Sequence, residues 1–104
     1  FILDNNGMLS AFGADLKYET FDVCYDGITK MHDSVISHFS CGLYHIGFIT
    51  KNNEIYMKGR NIEYQCGIKY DKSNSYIYIN KVNINRNVMD IKCGGWNTVI
   101  KVDN

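Results

Sequence analysis

Phe39-Ser40-Cys41-Gly42-Leu43-Tyr44-His45-Ile46 returns in altered form as Ile91-Lys92-Cys93-Gly94-Gly95-Trp96-Asn97-Thr98, an offset of 52 residues. A second match runs alongside it. Ile2-Leu3-Asp4-Asn5-Asn6-Gly7-Met8-Leu9-Ser10-Ala11-Phe12-Gly13 sets against Phe48-Ile49-Thr50-Lys51-Asn52-Asn53-Glu54-Ile55-Tyr56-Met57-Lys58-Gly59 at an offset of 46. It continues without a gap, Ala14-Asp15-Leu16-Lys17-Tyr18 against Arg60-Asn61-Ile62-Glu63-Tyr64. The offsets differ because the loops between the matched blocks differ in length. A period of about 50 residues belongs to propellers and solenoids, whose units bury their apolar faces only against neighbours.

Each unit reads as short strands. His45-Ile46-Gly47-Phe48-Ile49-Thr50 is apolar and β-rich, and Lys51-Asn52-Asn53 is a polar turn signal before a second arm over 54–57. Asp4-Asn5-Asn6-Gly7 plays the same part earlier, and Asn-Gly is a strong hairpin signal. Further strands are expected at 75–83, 87–93 and 97–102. No window sustains a 3.6-residue apolar period, so no long helix is expected. Proline is absent, and asparagine does the punctuating.

At 104 residues, 45% hydrophobic and 13% aromatic, the chain is one small domain at most and too apolar for a disordered tail. It carries 11 basic and 11 acidic residues, without the basic excess of a protein that grips phosphate backbones by charge. The balance hides an asymmetry. Residues 1–40 hold two basic and six acidic residues, a net of −4, and residues 41–104 hold nine and five, a net of +4. A basic partner-binding face and an unevenly sampled solvated surface both fit that split. No apolar run approaches the length of a membrane span, and no charged segment leads into an apolar one as in a signal peptide. The chain opens on Phe1 rather than Met, so a targeting segment could precede it. Cys24, Cys41, Cys66 and Cys93 form no C-x-x-C pair. Their wide spacing is read as buried, reduced thiols in an intracellular protein.

The repeated blocks resemble the repeat of the regulator-of-chromosome-condensation family. Gly7 and Phe12-Gly13 match the opening of that repeat, and Ser40-Cys41-Gly42-Leu43-Tyr44-His45 its close. In the second copy, Lys58-Gly59-Arg60-Asn61-Ile62-Glu63-Tyr64-Gln65-Cys66-Gly67 looks like the family's Trp-Gly-x-Asn-x-x-Gly-Gln-Leu-Gly, and Lys92-Cys93-Gly94-Gly95-Trp96-Asn97-Thr98 matches the close again. Lys58 stands where an aromatic residue is usual, Asn97 where His is usual, and Tyr18-Glu19-Thr20 lacks the Gly-Gln turn. The resemblance implies an all-β fold, with residues 1–104 forming about two blades of a β-propeller. Repeat one spans about 7–49 and repeat two about 53–101. Two blades cannot close a ring, and Ser75-Tyr76-Ile77-Tyr78-Ile79 would be aggregation-prone if bare. Further blades of the same chain or a protein partner are therefore expected to cover the edges.

The repeat residues Gly13, Gly59, Cys41, Gly42, His45, Cys93 and Gly94 read as structural. Glycine at 13 and 59 follows a strand and suggests positive φ or close backbone approach. Cys41-Gly42 and Cys93-Gly94 are expected where blades converge. A zinc site from His38, Cys41 and His45 with Cys24 and His32 is the sharper alternative. It is disfavoured because Cys41 recurs as Cys93 without comparable histidines, and because strand alternation sends His38 and Cys41 to opposite faces. The same residues offer a Cys/His pair, but no orienting third group. No phosphate loop, carboxylate pair or nucleophile elbow occurs. Neither metal nor cofactor is expected, and the chain is read as non-catalytic.

Tyr44, Tyr56, Tyr64, Tyr76, Tyr78 and Trp96 suit either a binding face or strand packing. Lys58, Arg60, Asn61 and Trp96, read as loop positions, are the candidate partner contacts. The leading functional expectation is a protein-interaction or scaffold module. The alternatives are part of a guanine-nucleotide exchange factor for a small GTPase and a chromatin-contact module. No membrane partner is expected, and neutral charge argues against nucleic acid.

Overall fold

Two turns show how the repeat is built. A computed structural model of the chain describes residues 1–11, 29–30 and 32–103. Within it, the Asp4 amide donates to the Met8 carbonyl (3.1 Å), Gly7 N–H to the Asp4 carbonyl (3.0 Å), and Met8 N–H to Asp4 Oδ1 (3.0 Å). Forty-six residues on, Thr50 N–H donates to the Glu54 carbonyl (2.9 Å), Asn53 N–H to the Thr50 carbonyl (3.0 Å), and Glu54 N–H to Thr50 Oγ1 (3.2 Å). Gly7 has φ +78° and Asn53 φ +65°. The turn needs a left-handed residue, which glycine and asparagine adopt at least cost. An Asp carboxylate and a Thr hydroxyl serve equally as the side-chain acceptor that closes it.

These turns close antiparallel hairpins. The strands run β1 Ile2–Leu3, β2 Leu9–Ala11, β3 Thr29–Lys30, β4 Ile36–Cys41, β5 His45–Thr50, β6 Ile55–Arg60, β7 Tyr76–Val82, β8 Val88–Cys93 and β9 Thr98–Val102, with one 3-10 turn over Lys72–Asn74. The expected strands at 45–50, 75–83, 87–93 and 97–102 are all present, the later ones trimmed by a residue at their ends. The second arm expected at 54–57 runs on to Arg60. Lys58 and Arg60 are therefore strand residues, not the loop positions expected, because β6 stays paired with β5 at Lys58 and with β7 at Arg60.

Three antiparallel sheets result: β1-β2-β3, a complete four-stranded blade β4-β5-β6-β7, and β8-β9. β8 lies against β4 and β5. The chain is all-β, about two blades of a β-propeller. The offset of 46 carries β1 and β2 onto β5 and β6, and the offset of 52 carries β4 and β5 onto β8 and β9. Each sequence period thus supplies the outer strands of one sheet and the inner strands of the next.

The cores sit between the sheets. Leu9, Ile36, Ile46 and Phe48 are buried together between the first sheet and the blade. Ile49, Ile55, Met57, Cys66, Ile77 and Ile91 form the second core, towards β8-β9. β5 is buried at every position, because both of its faces meet a neighbouring sheet; hence its near-continuous apolar run. Burying a side chain such as Phe48 is worth about 1.5–3 kcal/mol. Gly59 has φ +112° at a slip in the β6–β7 register, the positive φ expected there. Gly13 and Cys24 lie outside the described residues.

Candidate binding face at the blade turns

The Cys-Gly-x-x-His segment is a two-residue hairpin turn. Gly42 N–H donates to the His45 carbonyl (2.7 Å), and Gly94 N–H to the Asn97 carbonyl (2.9 Å). Glycine is needed for space. A Cβ on Gly42 would stand 2.1 Å from His45 Cε1, and one on Gly94 would stand 2.0 Å from Asn97 Oδ1. In both copies the fourth side chain folds back over the turn's own glycine, so histidine and asparagine do the same steric job.

His45 also ties adjacent sheets together. Its Nε2 lies 3.1 Å from the Asn97 carbonyl, a pure acceptor, and 3.0 Å from Thr98 Oγ1. Thr98 spends its own proton on the Gln65 carbonyl (2.8 Å). Nε2 therefore carries the hydrogen, an assignment made from the network. Nδ1 is buried with no hydrogen-bond partner. Burial is the main reason that the His45 pKa is lowered from 6.5, against a smaller raising effect of the Asn97 carbonyl. Gln65 in turn accepts from Glu63 N–H (3.0 Å). This relay from β5 through β9 to the β6–β7 loop escapes sequence reading, because Thr98 and Gln65 carry no motif of their own.

The two turns bring exposed side chains side by side. Leu43, Tyr44 and Trp96 are 56%, 42% and 48% exposed, and the Tyr44 and Trp96 rings lie 6.0 Å apart. The Arg60 guanidinium sits 5.1 Å from the Trp96 ring centre. It also grips Glu63 bidentately, Nε to Oε1 at 2.7 Å and Nη2 to Oε2 at 3.0 Å. That grip is the first reason the Glu63 carboxyl is held below its usual range. A stacked arginine in such a position contributes about 0.5–1 kcal/mol. Tyr64 is exposed beside them, at φ +64°.

The four candidate contacts thus separate. Arg60 and Trp96 lie on this face. Asn61 does not: it is fully buried. Its Nδ2 donates to the carbonyls of Ile68 (3.0 Å) and Asn74 (3.3 Å), and its Oδ1 accepts from Cys66 N–H (3.1 Å). It organises the β6–β7 loop from within. Lys58 is also buried, with its Nζ 4.9 Å from the Tyr78 ring centre. Its stem is buried while its ammonium reaches the Tyr78 ring.

Of the thiols, Cys41 is exposed rather than buried, because it ends β4 at the turn. Cys66 is buried and donates to the Arg60 carbonyl at 3.3 Å. Burial, helped by nearby Cys93, pushes its pKa up to about 12. Cys93 is half-buried, and its amide N–H donates to Ser40 Oγ at 2.8 Å, joining β8 to β4 where the inner strands converge. His38 is exposed and rests on Ser37 Oγ at 3.1 Å, while His45 is enclosed.

These sheets and turns define a propeller-type β module. The crystal structure of human WBSCR16 is similar, with a TM-score of 0.78 over 98% of this chain at 19% identity. The chain spans 28% of that structure's length. No protein-family model and no curated protein matches the chain.

Proposed function

We propose that this chain is a non-catalytic protein-interaction or scaffold module of the regulator-of-chromosome-condensation propeller type. The observation that supports it best is the exposed group of Leu43, Tyr44, Trp96 and Tyr64, with Arg60 stacked among them. Aromatic rings and a desolvated arginine are the side chains that dominate protein–protein binding energy. Leu43 and the rings are presented by turns and Arg60 by the end of β6, while the strands beneath hold them in place. Glu63 fixes the guanidinium geometry in advance, so little side-chain freedom is lost when a partner docks. Reduced thiols and balanced charge suit an intracellular protein partner better than a nucleic acid.

The test is affinity for a partner captured by photo-crosslinking from position 43. Trp96→Ala and Tyr44→Ala should each weaken binding to that partner tenfold or more, about 1.4 kcal/mol, with salt dependence too shallow for phosphate contacts. Affinity unchanged from that of the unsubstituted chain in both variants refutes the assigned face. Acceleration of nucleotide release from a small GTPase at catalytic amounts of the chain refutes the scaffold reading in favour of exchange.

A further inference from the structure

The two Cys-Gly turns lie against each other residue by residue, each residue against its own copy at the offset of 52. A Cβ on Gly42 would collide with the Gly94 carbonyl oxygen, and one on Gly95 would stand 3.4 Å from Leu43 Cδ1. The Tyr44 and Trp96 rings lie 6.0 Å apart, and His45 Nε2 lies 3.1 Å from the Asn97 carbonyl. The last of these four meetings is a hydrogen bond made by an imidazole, the side chain that titrates between about pH 5 and 8. The exposed face straddles this seam. Leu43 and Tyr44 come from the β4–β5 turn and Arg60 from the end of β6, whereas Trp96 comes from the β8–β9 turn. The geometry of the face therefore depends on the two turns staying together.

The neutral ring holds them. Its Nε2–H is shared between the Asn97 carbonyl and Thr98 Oγ1, 3.0 Å away. Its Nδ1 edge is packed on Gly42, where a Cβ would collide with it, and Nδ1 is buried without a hydrogen-bond partner. A proton at Nδ1 becomes a buried, charged donor facing a methylene group, which is costly to keep. The titratable groups on the surrounding elements offer no free counter-charge. Cys41 of β4, Tyr44 of the same turn, Cys66 of the β6–β7 loop and Cys93 of β8 are thiols and a phenol, which as classes ionise well above pH 7. Lys58 and Arg60 of β6 and Lys92 of β8 are cations, and the Glu63 carboxylate is gripped by Arg60. Burial outweighs the Asn97 carbonyl and lowers the imidazole pKa from 6.5. A protonated ring finds water by swinging out, which breaks its bond to Asn97. The ties beneath contain no imidazole: Cys93 N–H to Ser40 Oγ at 2.8 Å, Val88 N–H to Asn53 Oδ1 at 2.8 Å, and Asn53 Nδ2 to the Arg86 carbonyl at 3.2 Å. Release is thus confined to the turns.

We propose that His45 regulates the binding face as an acid-released latch: neutral, it holds the two turns together, and protonated, it lets the Trp96 turn part from the Tyr44 turn while the chain stays folded. This regulation rests on the reading of that face as the docking surface. One proton is taken up on release, so affinity for a docked protein falls by up to about tenfold per pH unit below the folded pKa of the ring. The second turn carries Asn97 in the equivalent place, so it has no such latch of its own.

The test uses the full chain and its single tryptophan, Trp96. Acrylamide quenching of Trp96 and the ring-nitrogen NMR signals of His45 are followed from about pH 8 to about pH 5, with circular dichroism reporting the fold. The expected result is quenching that rises with the His45 midpoint while the dichroism holds. His45→Asn should abolish the rise. His32→Gln and His38→Gln, which replace the other two imidazoles, should leave it intact. Unchanged quenching after His45 has taken its proton overturns the latch, as does unfolding of the whole chain at the same midpoint. These two outcomes decide even where His45→Asn fails to fold. Affinity for the protein cross-linked at position 43 separates the two readings. Affinity that falls with the His45 midpoint supports the regulation. Quenching that follows His45 with affinity indifferent to pH overturns the face as the docking surface, and the regulation with it. Unchanged quenching, with affinity still lost in Trp96→Ala, overturns the latch and leaves the face standing.

Discussion

Replacing Asn61 by alanine tests the interior of the blade most directly. The substitution deletes two donated bonds, to the Ile68 and Asn74 carbonyls, and one accepted from Cys66 N–H. Cys66 is fully buried, so its amide is left without a partner at a cost of about 1–3 kcal/mol. Ile68 and Asn74 are only half-buried, so water can replace the lost donors, and each carbonyl adds about 0.5–1 kcal/mol. The sum is about 2–5 kcal/mol, a large share of the roughly 5–15 kcal/mol that holds a domain of this size. Urea unfolding followed by circular dichroism should show the midpoint falling with the slope unchanged. Asn61→Asp separates the contributions. It keeps an acceptor for Cys66 but points a carboxylate at two carbonyls, so it should be as damaging at neutral pH and recover as the pH falls and the carboxyl protonates. A loss under about 1 kcal/mol for Asn61→Ala refutes the assignment of Asn61 as the loop's anchor.

Other expectations are equally direct. Tyr64 holds a left-handed conformation at φ +64°, so Tyr64→Gly should raise stability by about 1 kcal/mol in urea melts, net of glycine's greater unfolded freedom. His45 is buried with its folded pKa lowered from 6.5; the unfolded chain therefore binds more protons, and stability should be full above that value and decline as the pH falls through it. His45→Asn, which installs the residue found at the equivalent position 97, should flatten that decline, and an unaltered pH profile would refute the burial argument. Cys66, with a thiol pushed up to about 12, should resist alkylation at pH 8 in the folded chain and react readily in denaturant; mass mapping of the labelled peptides decides it.

What the sequence disclosed and what it hid follow from the range of the interactions. The turn at Asp4–Gly7 and its copy at Thr50–Asn53 are local, so a few adjacent residues announce them. Strand positions followed from apolar, β-rich runs and were placed to within a residue or so, except β6, which continues three residues past its expected end at 57. Lys58 and Asn61 misled because polarity is a statement about a side chain, whereas exposure is a statement about its surroundings. Asn61 is buried because the loop that follows turns its own carbonyls inward to meet the amide, an arrangement with no signature in the neighbouring letters. Cys41 misled in the opposite sense, since a thiol on the last residue of a strand meets solvent at the turn. Trp96 and Arg60 were picked from separate stretches of sequence; that one stacks on the other depends on the packing of β8-β9 against the blade. Thr98 and Gln65 carried no signal because their roles exist only between sheets.

The offset between sequence period and sheet also bears on how such a chain changes over time. A duplication or deletion in the gene moves a repeat, which here means the outer part of one sheet together with the inner part of the next. Each one cuts two hydrophobic layers and must rejoin them, and it succeeds only where the strands newly brought together share the register of the pair they replace. The β4–β5 and β8–β9 pairings share one register, down to the slip after Ile36 and after Val88, and that register acts as a standard thread. It lets one unit be exchanged for another even when few side chains agree, and it explains how the backbone can remain alike while the letters drift apart.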